Sequence, residues 1–221
     1  MQQFSATECI KFGWETFKKR PWFLIGVAAL YVVISAFSSF FGNNTHGLVY
    51  AAVQILSWII STFLGIAFTA FSLRAHEDVE HVTLKDAWRP ELFLNYLGAS
   101  ILVMLAVVGG LILLIVPGII LALMFSQTLN LVVDRGMGPI EAMKESARMT
   151  KGYKWELFLL MLLTIAVTIL GIIFLIVGLL VAMPVIALAQ IHAYRALAAK
   201  ADAIVPAAPA VPAAPATPVI G

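Results

Sequence analysis

The sequence predicts an all-α integral membrane protein with six transmembrane helices arranged as three hairpins. Charged residues make up 12% of the 221 residues, about half of what a soluble domain carries, and the mean hydropathy is +0.98. Four long regions contain no Lys, Arg, Asp or Glu, namely residues 22–41, 48–73, 97–133 and 157–194. Together these observations exclude an ordinary soluble domain.

The last two apolar regions are each long enough for two spans. A helix rises about 1.5 Å per residue and the hydrocarbon core is about 30 Å thick, so about 20 residues suffice for one span. In region 97–133 the sequence around Pro117 and Gly118 predicts the turn, because proline removes a backbone donor and glycine permits unusual dihedral angles. In region 157–194 the candidates are Gly171 and Gly178.

We expect residues 1–200 to form a single membrane domain with both termini in the cytoplasm. Every Lys and Arg lies on one side of the predicted hairpins, while the opposite turns, including residues 42–47, contain none. The positive-inside rule places such a charged side in the cytoplasm. Residues 201–221 are rich in proline and alanine, which predicts a disordered tail.

An internal threefold repeat is predicted, with units at about residues 5–74, 83–135 and 138–195. Each unit begins with a helix-start signal in which an acid follows three residues after the first position. A short amphipathic helix on the cytoplasmic surface, an aromatic residue and a hairpin then follow. Each hairpin closes on an arginine, Arg74, Arg135 or Arg195. Chance similarity among apolar segments is the alternative.

The third amphipathic helix predicts a surface for lipid or for a protein partner. Its charged residues Glu141, Lys144, Arg148 and Lys151 share one face at helical spacing, opposite a side that includes Ile140. With the closing arginines Arg74, Arg135 and Arg195 they form the candidate docking face. These arginines either extend to the headgroups for structural reasons or bind lipid phosphate.

The apolar regions carry no Lys, Arg, Asp or Glu that could act in catalysis. Thr69, Asn130 and Gln190 each lie five residues before a closing arginine. They predict either hydrogen bonds between helices or a polar cavity where the repeats meet. The histidines His76 and His81 have the wrong spacing for a metal pair on one helical face. No catalytic residue, metal or cofactor is therefore predicted.

The segment from about residue 111 to 163 resembles a loose group of uncharacterised bacterial six-span membrane proteins, which includes the membrane domain attached to some glycerophosphodiester phosphodiesterases. The matching residues are Pro117, Gly118, Asp134, Gly138, Glu141, Ala142, Ser146, Thr150, Lys151 and Gly152. The resemblance implies a bacterial or archaeal inner-membrane protein. It implies no catalytic residue, because the chemistry of those enzymes resides in a separate soluble domain.

The leading expectation is a non-enzymatic inner-membrane protein that organises lipid or docks a partner through its cytoplasmic face. The alternative is a small transporter or permease for a neutral or amphipathic solute, and a membrane enzyme acting on lipid comes third. Membrane lipids are the expected partners, together with a membrane or cytoplasmic protein. The net charge of +2 argues against nucleic acid.

Overall fold

A computed structural model of the chain describes residues 5–43, 47–78, 89–173 and 175–204. Regular structure within these ranges is helical, which confirms the predicted all-α class for this part of the chain. The helices are α1 Ala6–Lys19, α2 Pro21–Asn43, α3 Gly47–Glu77, α4 Phe93–Leu113, α5 Ile115–Met124, α6 Thr128–Arg135, α7 Pro139–Met149, α8 Lys154–Ile173 and α9 Leu175–Ile204. A 3₁₀ turn, Pro90–Leu92, leads into α4.

Five stretches of the described residues are long and apolar enough to cross a membrane. They are Ala52–Glu77, Pro90–Leu113, Ile115–Arg135, Lys154–Ile173 and Gly178–Ala203. The first predicted span falls on α2, a helix of 23 residues whose described apolar stretch is Pro21–Val33. The six-span count, the three hairpins and the threefold repeat stay predictions.

The turn between α4 and α5 lies earlier than the sequence predicted. Leu114, with φ −165° and ψ 151°, separates the two helices, while Pro117 and Gly118 lie at the start of α5. Proline is tolerated there because the first N–H groups of a helix have no intrahelical partner. A Cβ on Gly118 would lie 2.9 Å from the backbone nitrogen of Leu111. Glycine at this position therefore permits close packing of α5 on α4.

The connection between α8 and α9 lies between the two predicted glycines. A Cβ on Gly171 would lie 3.0 Å from the Cβ of Ala182 and 3.1 Å from the carbonyl oxygen of Gly178. These glycines allow the two helices to approach closely. Helix α9 continues to Ile204, four residues into the predicted tail. Residues 44–46, 79–88 and 205–221, which include the start of the second predicted repeat unit, lie outside the described residues.

The third candidate span is interrupted at residues 125–127, between α5 and α6. The N–H of Ser126 bonds the carbonyl oxygen of Leu123 at 3.4 Å, and the N–H of Thr128 bonds that of Phe125 at 3.1 Å. This i, i+3 pattern is that of a tight 3₁₀ turn. Non-helical backbone at membrane depth is tolerated where protein covers it, and Gln127 is fully buried.

Helix α1 packs mainly against α9 and also against α8. Its buried residues are Ala6, Cys9, Gly13, Thr16 and Phe17. A Cβ on Gly13 would lie 2.3 Å from the carbonyl oxygen of Val185, so the two backbones nearly touch. Burial, with a smaller effect from Glu8, raises the pKa of the Cys9 thiol to about 12. This cysteine is therefore a neutral packing group.

The predicted start of α1 is confirmed, but its capping group is not the predicted one. Ser5 occupies the N-cap position without a side-chain capping bond. Instead the N–H of Ala6 donates to Oε2 of Glu156 at 3.4 Å. A carboxylate is favourable at this end of the helix dipole, and here it also connects α1 to the start of α8.

Candidate functional site

An arginine–carboxylate network joins the ends of α3, α6 and α9. Arg195 donates from Nη1 to Oδ2 of Asp134 at 3.1 Å and from Nη2 to Oε1 of Glu77. Arg74 donates from Nη1 to Oε2 of Glu77 at 3.4 Å. The hydroxyl of Tyr194 donates to Oδ2 of Asp134 at 2.5 Å. Two of the three closing arginines are thus brought together through a single carboxylate.

A cavity of about 170 Å³ opens beside this network. Its lining residues are Ala70, Leu73, Arg74, Glu77, Arg89, Val133, Asp134 and Arg195. Arg89 comes from the segment that precedes α4, and it makes no ion pair with another described residue. Three guanidinium groups therefore face two carboxylates, and the cavity carries an excess of positive charge. Arg89 was not predicted as a site residue, because it occupies no position of the repeat.

The third closing arginine, Arg135, belongs to a second group of ion pairs. It donates to both oxygens of Asp202, at 3.3 and 2.8 Å. Arg148 donates to both oxygens of Glu145, at 2.8 and 2.6 Å, and to the carbonyl oxygen of Ala201 at 3.3 Å. The hydrogen bonds from Arg148 lower the pKa of Glu145. This group holds the end of α9 against α6 and α7.

The predicted docking face of α7 divides into two parts. Arg148 is directed to the end of α9 through its bond to Ala201. Glu141, Lys144 and Lys151 are exposed, and none of the three forms an ion pair with another described residue. The structure therefore does not bring all four residues together with the closing arginines, and docking at this face stays a prediction.

The inner face of α7 covers the interruption between α5 and α6. Ala142, Ser146 and Thr150 are each 0% exposed. Ser146 Oγ donates to the carbonyl oxygen of Met124 at 2.8 Å and accepts the N–H of Gln127 at 3.2 Å. Thr150 Oγ1 also donates toward Met124, at 3.3 Å. These hydroxyls satisfy backbone groups that the break in the helix leaves without intrahelical partners.

The buried side of α7 agrees only in part with the predicted one, which included Ala142, Ser146 and Thr150. Ile140 was expected on that side, yet it is 62% exposed. The helix is rotated because the hydroxyls of Ser146 and Thr150 must reach the carbonyl of Met124, and these contacts bury Met149 instead. The cost of unpaired backbone groups therefore outweighs the burial of one isoleucine.

The three predicted polar residues of the apolar regions lie in separate surroundings. Asn130 donates from Nδ2 to Oε1 of Gln127 at 3.0 Å. Thr69 is hydrogen-bonded to Tyr96, across α3 and α4. Gln190 lies half-buried on α9. No hydrogen bond joins the three among the described residues, and a polar cavity shared by them stays a prediction.

A histidine pair connects α3 and α9. His76 Nε2 lies 3.1 Å from His192 Nδ1, and the Phe12 ring stacks on His192 at a centroid distance of 4.3 Å. The part of the chain that the structure describes holds no group of three His, Cys, Asp or Glu residues able to bind a metal ion. The pair was missed because its members are 116 residues apart, and no spacing rule connects them.

Comparison with known proteins gives one family relationship. Residues 93–201 match the family described as protein of unknown function, DUF975. The match extends from the start of α4 into the last turns of α9 and covers about half of the chain. It relates this part of the chain to an uncharacterised family. No curated protein and no solved structure is significantly similar to the chain.

The matched segment contains α7 and the interruption that α7 covers. Three of the residues that carry the resemblance in the sequence, Ala142, Ser146 and Thr150, are buried packing or hydrogen-bonding groups here. They explain why this stretch is recognisable without implying any chemistry. The resemblance to the membrane domain of glycerophosphodiester phosphodiesterases stays a prediction.

Proposed function

We propose that this protein is a non-enzymatic inner-membrane protein that binds anionic lipid headgroups through a basic cytoplasmic face. The observation that supports the proposal is the gathering of charge at one end of the helices. Ion pairs connect the ends of α3, α6 and α9, and Arg89 brings the start of α4 to the same cavity. The apolar regions 48–73, 97–133 and 157–194 carry no Lys, Arg, Asp or Glu.

The physical basis is attraction between exposed cations and the negative cytoplasmic leaflet. A Lys or Arg near such a surface contributes about 1 kcal/mol to binding. Lys144 on the outer face of α7 and Lys151 in the turn after it are exposed. The side chain of Lys11 on α1 is 75% exposed, and its contact with Glu15 is long, at 4.0 Å. These lysines are therefore available to headgroups.

The test is the double substitution Lys144→Gln and Lys151→Gln. At about 1 kcal/mol per cation, the double variant should raise the Kd for a short-chain phosphatidylglycerol by about thirtyfold at low salt. Detergent-solubilised full-length protein, titrated with the lipid and analysed by native mass spectrometry, measures the change. Raising the ionic strength should reduce the difference between variant and wild type.

Glu141→Gln is the matched control, because Glu141 lies on the same helix as Lys144, is also exposed and carries the opposite charge. This variant should bind phosphatidylglycerol as well as the wild type or more tightly. A double lysine variant with wild-type affinity at low salt would contradict lipid binding by this face. Docking of a protein partner would then become the better explanation of the exposed charges.

The alternative of a small transporter rests on the predicted repeat and on hydropathy. No contact among the described residues favours it, since Thr69, Asn130 and Gln190 are not joined. Substituting Asn130 and Gln190 by Leu separates the two functions. Lost solute uptake with retained folding supports transport, whereas lost folding alone supports a role in helix packing.

A further inference from the structure

We infer that the cavity between the ends of α3, α4, α6 and α9 is a phosphate-binding site. Arg74 and Arg89 bind the phosphate directly, and Arg195, whose terminal nitrogens are already bonded to carboxylates, lines one side of the cavity. The inference rests on the proposed function and deepens it, because it assigns the ligand class and the residues. The phosphate is either that of a lipid headgroup or that of a free phosphate compound.

The carboxylates of the cavity are already occupied by other groups. Glu77 accepts from Arg195 through Oε1 and from Arg74 through Oε2. Asp134 accepts from both Tyr194 and Arg195 through Oδ2. These bonds orient Arg195, whose two terminal nitrogens are both used. The acids therefore position an arginine and leave the remaining cations with spare donors.

Arg74 and Arg89 are the residues with donors to spare. The contact of Arg74 with Glu77 is long, at 3.4 Å, and the Arg74 side chain is 55% exposed. Arg89 lines the cavity without an ion pair to any described residue. A guanidinium carries five N–H donors in a rigid fork, so most of the donors of these two arginines remain unused.

A phosphate group matches this arrangement better than a carboxylate does. Its several oxygens can accept paired bonds from two guanidinium groups at once, and its charge offsets the positive excess of the cavity. The cavity of about 170 Å³ is compact. It also lies at the ends of candidate spans, where basic pockets between membrane helices bind phospholipid headgroups.

The test measures binding by wild type, Arg74→Gln, Arg89→Gln and Arg89→Lys in two arms. The first arm titrates detergent-solubilised protein with inorganic phosphate by calorimetry. The second uses nanodiscs of phosphatidylcholine with and without phosphatidic acid, and measures lipid enrichment around the protein. Each Gln variant should weaken binding at least about tenfold, as expected for loss of a charge-assisted hydrogen bond.

Arg89→Lys distinguishes a phosphate site from general surface charge. Lysine keeps the charge and loses the planar fork. A phosphate site should therefore bind several-fold more weakly in this variant, whereas surface attraction alone should leave binding unchanged. Weaker binding of the variants in the phosphatidic acid arm alone supports a lipid headgroup as ligand. Weaker binding in both arms supports the phosphate group from either source. Equal binding by all four proteins in both arms would overturn the site.

The two proposals fail separately. If Lys144→Gln with Lys151→Gln weakens phosphatidylglycerol binding while the arginine variants bind as wild type, the lipid-binding face holds and the phosphate site is wrong. If neither set of variants has an effect, both are wrong. Far-UV circular dichroism and thermal unfolding of each variant show whether a loss of binding reflects loss of fold.

Discussion

At the scale of single residues, Ser146 is constrained by two hydrogen bonds to the backbone. Its hydroxyl donates to the carbonyl of Met124 and accepts the N–H of Gln127. Both backbone groups belong to the interruption between α5 and α6 and have no alternative partner in their own helices. A side chain with both a donor and an acceptor is required, which only a few small residues provide.

Ser146→Ala should therefore destabilise the protein by about 1–3 kcal/mol, because the buried N–H of Gln127 loses its partner and the carbonyl of Met124 keeps only the longer bond from Thr150. The loss is measured by thermal unfolding in detergent. Ser100→Ala is the matched control, since the hydroxyl of Ser100 only bonds Leu97 of its own helix at 2.8 Å. Equal unfolding temperatures for the two variants would show that Ser146 has no special role in the break.

At the scale of elements, the contact between α1 and α9 depends on glycine. The missing side chain of Gly13 lets the backbone of α1 approach Val185 and Ala189, where an added Cβ would lie 2.3 Å from a carbonyl oxygen and 3.2 Å from a backbone nitrogen. Neither backbone atom can move aside as a flexible side chain could. The apolar neighbours of this contact include Phe17 and Leu188.

Gly13→Ala should cost about 1–3 kcal/mol, the range for overpacking a close contact. Thermal unfolding of the full chain measures it. Gly26→Ala, on α2, is the control, because an added Cβ meets nothing within 4 Å there. Alanine favours helix over glycine, so that variant should be as stable as the wild type or more so. A Gly13→Ala protein as stable as Gly26→Ala would rule out close packing at this crossing.

The helix starts were more predictable than the faces that the helices bury. The third unit was predicted to begin at residue 138, and α7 begins at Pro139, whose ring suits the first helical position. The orientation of α7 was not predictable, since it depends on the break at residues 125–127, which has no proline or glycine. Likewise Arg74 and Arg195 were recognised in the sequence, but their joint contact with Glu77 is a property of the packed chain.

At the scale of the whole molecule, ion pairs are added to apolar contacts at the helix ends that surround the cavity. The pair Arg135–Asp202 connects the end of α9 to α6, and Arg195 connects α9 to α3 and α6. Arg148, which pairs with Glu145 of its own helix, connects α7 to α9 through its bond to the carbonyl oxygen of Ala201. Exposed pairs of this kind are each worth less than about 1 kcal/mol. Their effect is therefore mainly to fix the relative positions of helices that apolar packing already holds.

Acid should weaken this connection in a defined direction. The pKa of Glu145 is lowered in the folded chain by its hydrogen bonds from Arg148. Its contribution is therefore complete above the unfolded-state pKa and is lost as the pH falls through the folded-state pKa. Thermal unfolding measures the free energies of unfolding of Glu145→Gln and of the wild type across the acidic range. The variant should be less stable by under about 1 kcal/mol, and this difference should disappear toward low pH. A difference that widens on acidification would contradict this prediction.

The hydrogen bonds from α7 to the interrupted span make the folding of that span depend on a later part of the chain. The carbonyl of Met124 is paired by a hydroxyl 22 residues further along the chain. When residues 125–127 are added to the growing chain, the side chains that complete their hydrogen bonding have not yet been translated. The two parts of this span therefore cannot reach their final state one after the other, as independently inserting segments do. Its assembly in the lipid is complete only when α7 has been made.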